Sequence, residues 1–139
     1  MTPRMLLIED SDDDVELTTH ALQEVDFKCD LAIARSGEEA LEYLLCTDEL
    51  PKVALLDLNL SGTSGLEVLR RIRENERTRL LPVVILTSSS HDRDVIDSYR
   101  LGANGYIQKP VSFVDFIEAT RRIVLYWLSL NRTPSHASR

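Results

Sequence analysis

Short apolar runs and helix-patterned segments alternate five times along this chain of 139 residues, and few folds accommodate that alternation. A continuous apolar run suits a strand buried on both faces, and an amphipathic segment covers one face of such a sheet. Strung together in alternation, they make a parallel sheet clothed by helices on both sides. Met5 to Ile8, Leu31 to Ala34, Val53 to Leu56, Val83 to Leu86 and Tyr106 to Ile107 read as the strands. The expectation is an α/β fold: a doubly wound, five-stranded parallel sheet with five helices.

Helix starts are marked chemically. Ser11 with Asp14, Ser36 with Glu39, Ser64 with Glu67 and Ser112 with Asp115 each set an acidic residue three positions after a serine. The serine oxygen can accept from a free N–H of the first turn, while the carboxylate lies at the positive end of the helix dipole. The fourth helix, about Asp92 to Leu101, begins without such a signal, and Gly102 follows it as a left-handed cap. Apolar faces recur at three- and four-residue spacing: Val15, Leu22 and Val25; Leu66, Leu69 and Ile72; Phe113, Phe116, Ile117, Thr120, Ile123, Val124 and Trp127. The stretch from Glu74 to Leu81 reads as a polar, exposed loop. Arg70, Arg71, Arg73, Arg77 and Arg79 read as a solvated surface rather than a docking patch.

The length allows one domain with a real core and leaves no room for a second, so an output module is expected on another protein. With 23 acidic against 16 basic residues, a formal charge of −7, the chain has no net attraction for nucleic acid or an anionic membrane. No apolar stretch reaches membrane-spanning length, and Met1 to Met5 cannot hold the apolar core of a signal peptide, so a cytoplasmic location is expected. Cys29 and Cys46 match neither a disulfide framework nor a metal spacing and read as small buried hydrophobes. Asn131 to Arg139 is a polar tail beyond the domain of residues 1–130.

Function is written at the ends of the strands. Glu9 and Asp10 follow the first apolar run, Asp57 the third, Thr87 the fourth, and Lys109 with Pro110 the fifth. Open parallel sheets bind ligands outside the carboxyl ends of their strands, so these side chains converge on one edge. Clustered carboxylates repel unless a cation compensates, and Mg2+ is held by a few carboxylates with waters and phosphate oxygens completing its shell. Phosphoryl transfer needs positioning and charge neutralisation and little else from a protein. Asp57 can then be the nucleophile, Lys109 a neutralising cation and Thr87 a hydrogen-bond donor to a phosphoryl oxygen. Taken singly, an acidic pair before a helix, an aspartate in a turn and a surface lysine are ordinary. Their common placement on successive strands is not. Asp12, Asp13 and Asp14 read as helix-start charges rather than principal metal ligands.

These residues resemble the receiver domain of bacterial two-component response regulators from residue 4 to about 128. The resemblance implies a flavodoxin-like strand order 2-1-3-4-5 and an aspartate, Asp57, that accepts a phosphoryl group from a phosphohistidine on a sensor histidine kinase. It implies Mg2+ ligated directly by Asp10, Asp57 and the carbonyl of Asn59, with Glu9 acting through water. It further implies a cis bond between Lys109 and Pro110, and a switch pair of Thr87 and Tyr106. Ser98, Tyr99, Leu101 to Asn104, Tyr106, Ile107, Lys109 to Val111, Phe113, Phe116 and Tyr126 to Leu128 resemble the single-domain regulators paired with bacterial phytochromes, which implies a light-sensing kinase as partner. Glu9 stands where the family commonly has aspartate, one methylene shorter, and Leu60 and Ser61 depart from many members in the loop after Asp57.

Three rival readings are weaker. A phosphatase with an aspartate nucleophile needs a second aspartate two positions on as general acid, and that position is Asn59. A flavin-binding loop offers N–H groups and hydroxyls to phosphate, whereas Glu9, Asp10, Asp12, Asp13 and Asp14 would repel it. A receiver-like scaffold without phosphorylation would not need every principal position filled. The chain is therefore expected to be a phosphoacceptor rather than a turnover enzyme. The unbroken apolar run from Ile123 to Leu128 is wider than the stripe one helix needs, and a homodimer over the fourth helix, fifth strand and fifth helix is expected.

Overall fold

Val53–Leu56 is buried at every position, and this strand lies at the middle of the sheet. The computed structural model describes residues 2–134, so the last five residues of the expected polar tail lie outside the described residues. The strands are β1 (Arg4–Ile8), β2 (Asp30–Ala34), β3 (Val53–Leu56), β4 (Val83–Thr87) and β5 (Gly105–Gln108). They are all parallel and ordered β2-β1-β3-β4-β5. The helices are α1 (Asp12–Glu24), α2 (Gly37–Cys46), α3 (Gly65–Glu74), α4 (Asp92–Arg100) and α5 (Phe113–Val124).

Strand side chains alternate between faces, so the sheet separates two apolar layers. Leu6, Ile8, Ala54, Leu56, Val83 and Ile85 meet Leu44 of α2 and Val68, Leu69 and Ile72 of α3. Met5, Leu7, Val53, Leu55, Val84 and Leu86 meet Val15 and Ala21 of α1 and Phe116, Ile123 and Val124 of α5. The edge strands β2 and β5 are only partly buried, because each lacks a neighbour on one side. Ser11, Ser36, Ser64 and Ser112 accept from the backbone N–H three residues on, at Asp14, Glu39, Glu67 and Asp115. His91 begins α4 with no side-chain cap, and Gly102 takes φ 99° after it.

The structure corrects four local expectations. The segment 74–81 is anchored, since Thr78 is buried with its hydroxyl donating to the Ile72 carbonyl at 2.7 Å. Arg73 and Arg77 are half-buried and tied to the backbone rather than free in solvent: Arg73 donates to the carbonyls of Gly102 and Leu81, and Arg77 to those of Leu44 and Thr47. Cys46 is exposed at the end of α2 and Cys29 is partly buried, both as free thiols. Phe113, placed on the buried face by its spacing, is 43 % exposed at the first position of α5.

Beyond α5 the chain widens into a π-helical continuation, Leu125–Leu130. Ile123, Val124 and Leu128 remain buried while Leu125, Tyr126 and Leu130 face outward, so the apolar run does exceed what the sheet covers. No helix among the described residues is long and apolar enough to cross a membrane.

Candidate functional site

The ladder itself brings the site together. Ile8 pairs with Leu56, Leu56 with Ile85, and Thr87 with Gln108, so β1, β3, β4 and β5 end side by side. Backbone bonds carry this register one residue further: Asp57 N donates to the Ile8 carbonyl at 3.1 Å, and Lys109 N to the Thr87 carbonyl at 2.7 Å. Between β1 and β3 the winding of the sheet reverses, which opens a crevice at its carboxyl edge.

In that crevice Glu9 is 1 % exposed, Asp57 5 % and Thr87 fully buried. The Lys109 Nζ donates to Glu9 Oε1 at 2.6 Å, to Asp14 Oδ2 at 2.9 Å and to Asp57 Oδ2 at 3.2 Å. The Asn59 amide donates to Asp57 Oδ1 at 3.1 Å, and its side-chain Nδ2 to Thr87 Oγ1 at 3.4 Å. Tyr106 Oη donates to the Ser89 carbonyl at 3.0 Å, and Ser89 Oγ to Asp94 Oδ2 at 2.5 Å, which ties the loop after Thr87 to β5 and to the first turn of α4.

Burial pushes the Glu9 carboxyl up to about 7, with Lys109 pulling it down and Asp57 pushing it further up. Burial also opposes ionisation of Asp57, but the Asn59 amide, the Glu9 carboxyl, the Lys109 charge and the Thr87 hydroxyl outweigh it and hold Asp57 below its ordinary value. Asp57 is therefore the more readily ionised member of the pair. Burial would lower the pKa of Lys109, yet its bonds to Glu9 and Asp14 and the charge of Asp57 raise it, so it stays cationic.

Carboxylate oxygens of Glu9, Asp14 and Asp57 lie within 4.8 Å of one another, an all-oxygen donor set that fits a hard cation such as Mg2+. Asp10 is not among them. Its Oδ2 accepts from both N and Oγ of Ser61, each at 2.7 Å, and these bonds hold its carboxyl below its ordinary value. Asp14, expected to serve only the helix start, reaches the crevice from the first turn of α1, where it accepts from the Lys109 Nζ.

The Lys109–Pro110 bond is trans, contrary to the expectation of a cis bond; no cis peptide bond occurs among the described residues. Trans is the commoner state before proline by about 0.5–1 kcal/mol. The Lys109 amide still continues the β4–β5 ladder in that state.

Gly65, which sequence reasoning passed over, shapes the floor of the site. A Cβ there would stand 2.4 Å from the Asp57 carbonyl oxygen and 2.6 Å from Leu58 Cα, so α3 can start directly beneath Asp57 only with glycine at that position.

A doubly wound sheet with a buried aspartate, a lysine and a hydroxyl at its switch point defines the receiver class of signalling domain. Residues 5–121 match the response regulator receiver domain, and the chain belongs to that family. It is 38% identical over 137 residues, 96% of this chain and 88% of the relative, to a probable methanogenesis regulatory protein, FilR2, of Methanothrix harundinacea (strain 6Ac). It is 35% identical over 136 residues, 94% of this chain and 92% of the relative, to the response regulator Rcp1 of Synechocystis sp. (strain ATCC 27184 / PCC 6803 / Kazusa). The solved Mn(2+)-bound form of Rcp1 superposes with a TM-score of 0.85 at 34% identity, covering 96% of this chain and 99% of that one. The phosphorylated cyanobacterial phytochrome response regulator RcpA superposes with a TM-score of 0.90 at 31% identity, over 97% of this chain and all of that one. The chain is thus a response regulator receiver homologous to phytochrome response regulators.

Proposed function

We propose that Asp57 accepts a phosphoryl group from a phosphohistidine of a sensor histidine kinase of the phytochrome type, and that the domain changes its surface in response. The observation that carries this reading is the nearly buried Asp57 carboxylate with the Lys109 ammonium 3.2 Å away. An Asp57 oxygen attacks phosphorus; the new P–O bond forms as the P–N bond breaks, and its electron pair returns to the imidazole of the donor. Lys109 meets the charge gathered on the phosphoryl oxygens, and the Thr87 hydroxyl, held by Asn59 and near the Ser89 amide at 3.5 Å, is placed to donate to them. The phytochrome pairing rests on the likeness to RcpA over almost the whole of both chains.

Glu9, Asp10, Asp57 and the Asn59 carbonyl would hold Mg2+, although in the present arrangement Asp10 is engaged by Ser61 and it is Asp14 that stands beside Glu9 and Asp57. When bound, Mg2+ supplies positive charge that neutralises the phosphoryl oxygens and the clustered carboxylates. The domain, residues 1–130, is a phosphoacceptor; Asn59 offers no general acid for steady ester hydrolysis, so the phosphatase reading is not favoured. A surface response follows from Tyr106 and Ser89, which link the crevice to α4, as a shift in population rather than refolding.

The reading includes a homodimer over α4, β5 and α5. Ile96 and Tyr99 of α4 are 49 % and 51 % exposed, and Leu125 and Tyr126 after α5 are 43 % and 48 % exposed, which gives this face large apolar groups that a second copy would cover. Light scattering should return a dimer at high concentration; a monomer with and without phosphorylation rejects it.

The deciding experiment is labelling by a phosphorylated histidine kinase or a small acyl phosphate. The parent should carry a base-labile, acid-stable label that Asp57→Asn abolishes. A label persisting in Asp57→Asn overturns the assignment.

A further inference from the structure

Resting on the phosphoacceptor reading of Asp57, we propose that Asp14 is a positioning residue that holds Lys109 back, so that release of the Lys109–Asp14 ion pair accompanies phosphorylation. An ammonium has three N–H donors. Lys109 places all of them on carboxylates: Glu9 at 2.6 Å, Asp14 at 2.9 Å and Asp57 at 3.2 Å. Asp57 becomes an ester as it reacts, so the donor it holds passes to the phosphoryl group, and a second phosphoryl oxygen reaches Lys109 only if the bond to Glu9 or to Asp14 opens.

The two remaining acceptors, Glu9 and Asp14, differ in what they lose by letting go. The Glu9 side chain is 2% exposed and that of Asp57 6%, whereas that of Asp14 is 37% exposed. A buried acceptor that loses its donor has no water to replace it, while one at the rim does. Glu9 is also held in place by its second oxygen, which accepts from Ser11 N at 3.3 Å. Asp14 is anchored through its backbone, its N–H donating to Ser11 Oγ at 3.3 Å, so its carboxylate can let go without disturbing α1. Asp14 is therefore the partner that yields Lys109, and until it does it competes with the phosphoryl group for the same ammonium.

The test is Asp14→Asn, which removes the charge and keeps the shape. Asp13→Asn is its control: Asp13 lies in the same first turn of α1, is exposed, loses the same charge and forms no ion pair with Lys109. With a small acyl phosphate and Mg2+, Asp14→Asn should label about two- to fivefold faster than the parent and keep its label longer by a similar factor, the scale of a partly exposed ion pair. Asp13→Asn should match the parent, and Asp14→Glu should restore parental rates. The Lys109 ammonium signal in 15N NMR should move in Asp14→Asn and stay in Asp13→Asn. Labelling at or below the parental rate in Asp14→Asn overturns the proposal. So does loss of Mg2+ binding in that variant, which would make Asp14 a metal ligand instead. An unlabelled parent overturns the phosphoacceptor reading together with this one; a labelled parent with Asp14→Asn unmoved overturns this one alone.

Discussion

Lys109 and Asp57 stand 52 positions apart in the chain and 3.2 Å apart in space. The lysine is the cation that lets Glu9 and Asp57 occupy neighbouring, nearly water-free positions. Lys109→Ala should therefore lower unfolding free energy at pH 8 by on the order of 3 kcal/mol, because it leaves buried carboxylates uncompensated. The loss should shrink below pH 6, where Glu9 takes up a proton. Urea unfolding at the two pH values checks this; equal midpoints for variant and parent at pH 8 would show that Lys109 is not the compensating charge.

Stability without divalent cations should fall as pH rises. The Glu9 carboxyl titrates at about 7 in the folded protein against 4.5 for its ordinary value, so the folded state keeps a proton that the unfolded chain has released. That contribution is complete below about 4.5 and is lost as pH climbs through about 7. In chelator, the thermal midpoint should decline across this window and the decline should flatten in Glu9→Gln. A midpoint independent of pH in the parent rejects the perturbed Glu9.

Gly65→Ala should destabilise the domain by about 2 kcal/mol or more, since its methyl would meet the backbone of Asp57 and Leu58 rather than a side chain able to move aside. Chemical denaturation measures the loss. The same variant should weaken labelling of Asp57, because α3 can no longer start against that backbone. Parental stability in Gly65→Ala contradicts the close approach.

Arg73 joins the end of α3 to the turn before β5, reaching Gly102 and Leu81 carbonyls and the Asn104 side chain. Arg73→Lys should cost nearly as much as Arg73→Ala, about 2 kcal/mol, because an ammonium cannot reproduce the planar fork that serves several acceptors. Parental stability in Arg73→Lys, read from urea midpoints, would show that charge alone suffices.

Much of the architecture was legible because each element announces itself locally. Continuous apolar runs such as Val53 to Leu56 and Val83 to Leu86 fit strands buried on both faces, and the serine–acid pairs are complete helix starts within four residues. The exceptions were decided at a distance. Arg73 and Arg77 look like surface charges until Gly102, Leu81, Leu44 and Thr47 supply carbonyls from remote segments. The π-helical widening over Leu125–Leu130 is not anticipated by any spacing rule, although the outward turn of Leu125 and Tyr126 follows from the helical face of Ile123, Val124 and Trp127.

At the crevice the division is similar. Residue type and position after a strand single out Glu9, Asp57, Thr87 and Lys109, because strand order and parallel register carry whatever follows each strand to the same edge. Which carboxylate turns inward is a different matter. Asp10 faces Ser61 and Asp14 faces Lys109, an exchange that adjacent positions in a run of acidic residues do not reveal. Sequence determines local periodicity and the chemistry available at each strand end; only packing decides which side chains share one cation, since that depends on burial and on donors contributed from far along the chain.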